Sequence, residues 1–131
     1  MTGESLAGWI RENMTVDGMA VIEMNKETVS RFIGITPTGE PMLLVDKKEL
    51  KGRQAVMLYL IGKYMAKVAG YCDNACSKFS DVARSLGMPK GTVGRCLREL
   101  ESAGSIAECT DGGYVIVLSS LSTFFAGLRG H

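Results

Sequence analysis

Apolar residues recur at helical spacing through the second half of this chain. In residues 79–86 they fall at positions i, i+3, i+4 and i+7, which predicts a short amphipathic helix capped by Ser80. Residues 93–100 repeat the pattern and predict a second helix. Between them, Gly87 favours a left-handed helix end and Pro89 favours a new helix start. Two helices joined by such a short, Gly-containing turn form the helix-turn-helix pattern.

Other patterned segments surround this pair of helices. Residues 57–68 form a longer apolar stripe, and residues 46–49 before it resemble a capping box, so a long helix is expected to start there. Residues 105–117 are expected to form a β-hairpin whose turn spans residues 110–113. Residues 121–128 carry a last helical stripe, which packs either within the same chain or against a second copy.

The first part of the chain is patterned less regularly. Apolar residues between 6 and 14 predict a short helix, while the apolar run at residues 19–24 is compatible with either a strand or a helix. Two apolar, β-leaning runs, 32–36 and 42–45, flank a turn rich in Gly and Pro at residues 37–41. This arrangement predicts a second β-hairpin ahead of the long helix.

The second helix of the pair has a polar face as well as a buried one. That face carries Lys90, Thr92, Arg95 and Arg98, and three of the four are cationic. A helix that buries one side and presents cations and a hydroxyl on the other fits the major groove of duplex DNA. Two glycines on the same helix, Gly91 and Gly94, indicate either close approach to a phosphate or tight packing between helices.

Charge is segregated along the chain although its net value is only +1. Residues 1–46 contain three basic and seven acidic side chains, residues 47–100 contain eleven and four, and residues 101–131 contain one and three. The basic block coincides with the helix-turn-helix and the helix before it, as an electrostatic footprint for nucleic acid does. The alternative is a solvated, lysine-rich helical face.

The helix-turn-helix region resembles the winged helix-turn-helix superfamily of transcriptional regulators, including its MarR-like and ArsR-like groups. The resemblance is carried by VARSLGM at residues 82–88, GTV at 91–93 and LREL at 97–100, and it extends over about residues 50–118. It implies an α+β fold in which residues 90–103 form the recognition helix and residues 110–113 form the tip of the wing.

The resulting organisation has three segments in one compact unit. Residues 1–46 are an N-terminal extension of a helix and a β-hairpin, residues 47–118 are the winged helix-turn-helix domain, and residues 119–131 are a C-terminal amphipathic helix. We expect Lys90 and Arg95 to contact base edges and the remaining DNA-binding residues to position the helix on the DNA backbone. The complete DNA-binding set is Lys78, Arg84, Lys90, Gly91, Thr92, Arg95 and Arg98.

The predicted wing departs from the superfamily pattern, because it carries Glu108 and Asp111 and no cation. Phosphate repels an acidic wing, so DNA contacts are expected from the helices alone. Two functions therefore stand at this point. The first is a DNA-binding transcriptional regulator acting on double-stranded DNA, expected as a homodimer joined through its terminal helices. The second is a winged-helix adaptor that binds a protein and makes no direct DNA contact.

The four cysteines are compatible with several chemical states. Cys72 and Cys76 are four residues apart and form a candidate redox pair if the loop brings them together. Cys96 lies in the recognition helix and Cys109 in the hairpin, and in a cytoplasmic protein reduced, partly buried thiols are the commonest state. No metal is expected, because zinc sites favour two close ligand pairs and the single histidine is His131.

Motifs for catalysis and targeting are absent from the sequence. It contains no P-loop, no dinucleotide-binding glycine motif and no internal histidine, so we expect neither an enzyme nor a cofactor. No apolar run approaches the roughly 20 residues that span a bilayer. The start of the chain lacks the pattern of a signal peptide, which makes a cytoplasmic, nucleoid-associated location the expectation.

Overall fold

The computed structural model describes residues 6–10 and 18–129 and has an α+β architecture. Its helices are α1 (Gly18–Met24), α2 (Lys26–Phe32), α3 (Gly52–Val68), α4 (Phe79–Leu86), α5 (Lys90–Ser102) and α6 (Leu121–Arg129). Residues 6–10 are also helical. Its strands are β1 (Ile33–Ile35), β2 (Pro41–Leu43), β3 (Ile106–Glu108) and β4 (Tyr114–Ile116), paired as the antiparallel hairpins β1–β2 and β3–β4.

Helix α3 is the element around which the chain packs. Every residue from 55 to 62 is buried, whereas a helix at a protein surface keeps one polar face in solvent. The β1–β2 hairpin, α4, α5 and β4 all contact α3. Side chains from the N-terminal segment, from α4 and α5, and from α6 join those of α3 in one hydrophobic core.

The start of α3 differs from the predicted capping box at residues 46–49. Those residues instead lead into a short 3-10 turn, Lys47–Glu49, in which the Asp46 carboxylate accepts a hydrogen bond from the Lys48 amide at 2.9 Å. The helix begins at Gly52, where the side-chain oxygen of Gln54 accepts from the Lys51 amide at 3.0 Å. Asp46 therefore caps the short turn and not the long helix.

The N-terminal segment contains one helix more than the pattern predicted. The ambiguous apolar run is helical and forms α1, and α2 follows it after a break at Asn25. The Asn25 side-chain amide donates to the carbonyl of Val21 at 2.8 Å, which satisfies a carbonyl at the end of α1. The predicted hairpin is confirmed as β1–β2, although Phe32 belongs to α2. Met14, placed in the predicted first helix, lies outside the described residues.

A polar contact ties the β1–β2 hairpin to α4. The Ser85 hydroxyl on α4 donates to the Glu40 carboxylate in the hairpin turn, and it also interacts with the phenol of Tyr59 on α3. Burial raises the pKa of Tyr59 above its usual value of 10.0, so the phenol stays neutral and hydrogen-bonded inside the core. The N-terminal hairpin thus packs against α4 and helps to hold it in place.

The elements predicted for the second half of the chain are confirmed. Gly87 ends α4 in a left-handed conformation with φ +63°, and Pro89 directly precedes α5. Lys78, and not Ser80, occupies the position before α4, so the predicted serine cap is wrong. Ser77 forms an isolated bridge with Tyr114, with two backbone hydrogen bonds of 2.9 and 2.8 Å, which lays the loop before α4 alongside β4.

Helix α6 buries its apolar stripe within its own chain. Leu121, Phe125 and Leu128 are all buried, and the helix contacts α1. The half-buried ring of Phe124 meets that of Phe125 edge to face, with centroids 5.5 Å apart. Across the described part of the chain, no helix has the length and apolar character needed to cross a membrane.

The contact between α3 and the N-terminal hairpin generates a prediction at Gly62. A Cβ at this position would lie 3.0 Å from Cβ of Pro41 and 3.3 Å from Cγ1 of Ile33, both in the hairpin. We expect Gly62→Ala to lower the free energy of unfolding by about 1–2 kcal/mol, since overpacking exceeds the gain in helix propensity. Urea unfolding followed by circular dichroism measures the change.

The matched control is Gly127→Ala on α6, where an added Cβ meets nothing within 4 Å. There the gain in helix propensity stands alone, and stability should rise by up to about 1 kcal/mol. Equal effects of the two substitutions would show that the hairpin does not pack closely on α3.

Candidate nucleic-acid interface

Helices α4 and α5 pack on each other through their apolar sides and leave one face of α5 in solvent. The buried residues of α4 are Val82, Ala83 and Leu86, and those of α5 are Val93, Cys96, Leu97 and Leu100. Because α3 covers the pair from behind, the opposite side of α5 is fixed as an outward surface. The turn between the helices positions that surface, since Gly87 reverses the chain and Pro89 starts the next helix.

The outward surface of α5 is a ridge made of Gly91, Arg95, Arg98 and Ser102. Steps of four, three and four residues bring these positions onto one helical face, and all four are exposed. Within the described chain, neither arginine forms an ion pair with a carboxylate. The α5 ridge therefore presents two guanidinium groups that are open to an external anion or base edge.

The flanks of the α5 ridge differ in charge. Glu99 lies on one flank, where it forms a 3.6 Å ion pair with Arg53 at the start of α3. Lys90 and Glu101 are exposed on the other flank, and Thr92 is half-buried. The Glu99 carboxylate is thus partly compensated by a cation from α3, a role for Arg53 that no sequence motif indicated.

The two glycines of α5 have different surroundings. A Cβ added to Gly94 would meet the Phe79 ring at 3.4 Å and Nη1 of Arg98 at 3.6 Å, which is ordinary packing between α4 and α5. A Cβ added to Gly91 would meet nothing within 4 Å. Packing therefore accounts for Gly94, whereas Gly91 leaves bare backbone at the start of the ridge.

The two predicted DNA-binding residues outside α5 lie on or next to α4. Lys78 is exposed and immediately precedes the helix. Arg84 is also exposed, but its guanidinium donates to the Asp81 carboxylate one turn earlier at 3.0 Å. Such a pair on the surface contributes little to stability and leaves the remaining donors of Arg84 facing solvent.

The tip of the β3–β4 hairpin is acidic and tightly turned. Glu108 and Asp111 are exposed, and the Asp111 carboxylate accepts from the Gly113 amide at 2.9 Å, so Asp111 has a structural role in the turn. Gly113 is needed for close approach, since a Cβ there would lie 3.1 Å from the carbonyl oxygen of Ser77. The hairpin is thereby held against the loop that precedes α4.

The cysteines pair differently from the sequence prediction. The structure contains a disulfide between Cys76 and Cys109, with their Cα atoms 6.4 Å apart, and Cys72 is a free thiol. The predicted redox pair of Cys72 and Cys76 is therefore wrong, because Cys76 is bonded to Cys109 and not to Cys72. The physical reason is the bridge between Ser77 and Tyr114, a long-range contact that brings residue 76 beside the hairpin and that local spacing does not reveal.

The surroundings of Cys96 and of the two bridge sulfurs limit what these atoms can do chemically. Cys96 is buried, and this burial, together with nearby Glu99, raises the pKa of its thiol despite the opposing effect of Arg95 and Arg53. A neutral buried thiol is unreactive. The Asp111 carboxylate lies within 4.8 Å of both bridge sulfurs, but sulfurs that are bonded to each other supply no thiolate to a metal.

No protein-family profile, curated protein or solved structure matches this chain.

Proposed function

We propose that this chain is a DNA-binding transcriptional regulator of the winged helix-turn-helix type that inserts α5 into the major groove of double-stranded DNA. The observation that carries the proposal is the α5 ridge, where Arg95 and Arg98 are exposed, form no ion pair within the described residues and follow the bare backbone of Gly91. The order of α3, α4, a Gly-containing turn, α5 and a β-hairpin supports the same type of domain.

The side chains divide into two roles in this proposal. Arg95 and Lys90 read base edges, since a guanidinium matches the two acceptors of guanine in the major groove. Arg98, Thr92, Lys78 and Arg84 contact phosphates and hold the helix in register. Gly91 lets the start of α5 approach the duplex closely, where the free amides of the first turn favour a phosphate.

The acidic hairpin tip limits how the domain docks. Glu108 and Asp111 carry negative charge in solvent, and the hairpin offers no cation to offset them. Close approach to the DNA backbone is repulsive for this tip, so the proposal uses contacts from α4 and α5 and keeps the wing away from the phosphates.

The alternative function is a protein-binding adaptor, and the same acidic tip is the observation that favours it. A carboxylate-bearing hairpin suits a basic protein partner better than DNA. In that case the cations of the α5 ridge would contribute nothing to duplex binding. The two functions are thus separated by testing the ridge directly.

A salt titration of binding to a random-sequence duplex tests the ridge. Phosphate contacts release counterions, so the logarithm of affinity should fall with the logarithm of salt concentration at a slope of about −0.9 per contact. The triple variant Lys90→Ala/Arg95→Ala/Arg98→Ala should bind more weakly and show a slope shallower by about 0.9, since Arg98 is the phosphate contact among the three.

The control for the ridge is a triple variant with the same change in net charge. Lys26, Arg31 and Lys67 are exposed and lie on α2 and α3, outside α4, α5 and the hairpin. Replacing all three with alanine should leave the affinity and slope near the wild-type values. An equal loss in both triple variants, or no duplex binding at low salt, would exclude the proposed interface.

Gly91→Glu separates folding from DNA binding. The added side chain has open space and lies in the first turn of α5, where a carboxylate interacts favourably with the helix dipole, so thermal stability should be unchanged or higher. The same carboxylate stands on the α5 ridge and should weaken duplex binding at least about tenfold by repelling phosphate. Fluorescence anisotropy with a labelled duplex measures the loss.

Gly127→Glu is the matched substitution for Gly91→Glu. Gly127 is exposed on α6, and an added Cβ there also meets nothing within 4 Å. It introduces the same charge on α6, outside the α5 ridge, and should bind DNA almost as the wild type does. Undiminished binding by Gly91→Glu would show that α5 does not enter the groove.

A homodimer joined at the terminal helices is part of the proposal. Because α6 already buries its stripe within the chain, the exposed large apolar side chains of the two terminal helices lie in residues 6–10, where Leu6 and Trp9 are 51% and 52% exposed. Light scattering should give twice the chain mass of 14.1 kDa, and Leu6→Ser/Trp9→Ser should halve it. A wild-type monomer at micromolar concentration would contradict the dimer.

A further inference from the structure

The disulfide between Cys76 and Cys109 links two parts of the chain that are 33 residues apart. Cys76 lies in the loop before α4, two residues ahead of Lys78. Cys109 opens the turn of the β3–β4 hairpin, where its amide donates to the carbonyl of Gly113 at 2.7 Å. The bond thus fixes the acidic hairpin tip to the loop that carries one of the proposed phosphate contacts.

Both bridge cysteines are accessible from solvent. Each is partly exposed, whereas the free thiol Cys96 is buried in the core. The neighbouring loop residues Tyr71, Asp73 and Asn74 are exposed as well. We therefore expect a small dithiol to reach the bond without any unfolding of α3, α4 or α5.

The hairpin has enough other contacts to stay folded when the bond opens. Strands β3 and β4 keep their backbone pairing, and Ser77 keeps its two hydrogen bonds to Tyr114. Ile106 and Ile116 anchor the strands in the core. Opening the bond consequently releases the turn at residues 109–113 and the loop up to Cys76, while Ser77, Lys78 and the core stay in place.

We propose that the Cys76–Cys109 bond is a reversible redox site whose oxidised form favours DNA binding, an inference that rests on the proposed function. In the oxidised form the acidic tip is held in a fixed position against the loop before α4. In the reduced form the tip is free to approach the phosphates, which repel it, and it must be ordered again when DNA binds. Both effects lower the affinity of the reduced protein.

The chemistry is thiol–disulfide exchange with a dithiol. A thiolate of the dithiol attacks one bridge sulfur, the Cys76–Cys109 bond breaks, and the other sulfur leaves as a thiolate and takes up a proton. The second thiol of the dithiol then attacks the mixed disulfide and releases the second protein thiol. The protein gains two electrons and two protons, the dithiol becomes a cyclic disulfide, and the same disulfide compound reverses the reaction.

The experiment compares the full chain in its two redox states. Protein treated with oxidised or with reduced dithiothreitol is then alkylated in denaturant, so that buried Cys96 also reacts, and mass spectrometry should count two alkylated cysteines in the oxidised form and four in the reduced form. Affinity for a random-sequence duplex is then measured for each form. Reduction should weaken binding about three- to tenfold.

Two variants isolate the bond. Cys76→Ser cannot form it and should show the weak affinity in both treatments. Cys72→Ser removes a free thiol from the same loop and should keep the full difference between the oxidised and reduced forms. Hydrogen exchange should quicken at residues 109–113 on reduction and stay unchanged in α3, which verifies that the reduced fold is intact.

Distinct results overturn the two proposals. Duplex binding that is equal within twofold in both redox states, or tighter after reduction, contradicts the redox inference and leaves the DNA-binding function standing. Absence of duplex binding in both states contradicts the proposed function and, with it, the effect on affinity. A bond that dithiothreitol opens only when the core unfolds excludes a reversible site in the native protein.

Discussion

The burial of α3 on all sides is the constraint on which the rest of the structure depends. A helix whose residues 55–62 are all buried must be covered by several elements at once, and the chain supplies them from both directions. The β1–β2 hairpin covers α3 at Gly62, while α4, α5 and β4 cover its other sides. Truncating one of the large side chains in such a helix costs about 2–5 kcal/mol, so the arrangement leaves little freedom to the elements around it.

This constraint determines where the cations of α5 point. The apolar side of α5 is committed to α3 and α4, so Arg95 and Arg98 face outward, and Arg53 at the start of α3 draws Glu99 toward itself. The N-terminal segment contributes indirectly, since the contact between Glu40 and Ser85 braces α4 from the opposite side. The N-terminal segment carries none of the proposed DNA contacts, yet it helps to set the orientation of α4, the helix that carries Arg84.

The features that could be predicted from the sequence are those encoded locally. The stop at Gly87, the start at Pro89 and the apolar spacing of α4 and α5 each depend on residues within a turn or two, and the exposure of Arg95 and Arg98 follows from the same spacing. The pairing of Cys76 with Cys109 depends on a strand contact across the fold, and α2 contains only one buried side chain, Val29, too weak a pattern to predict. The capping box predicted at Asp46 is wrong because an aspartate that caps a 3-10 turn looks the same in the sequence as one that caps a long helix.

The disulfide also changes how the chain transmits mechanical force. Residues 76–109 form a covalently closed ring that contains α4, α5 and β3. Tension applied to the two ends of the chain passes from Cys76 directly to Cys109 through the sulfur atoms, so the helix pair carries no load while the bond is intact. A single backbone cut inside the ring likewise leaves both fragments joined, and only reduction makes such a cut separate them.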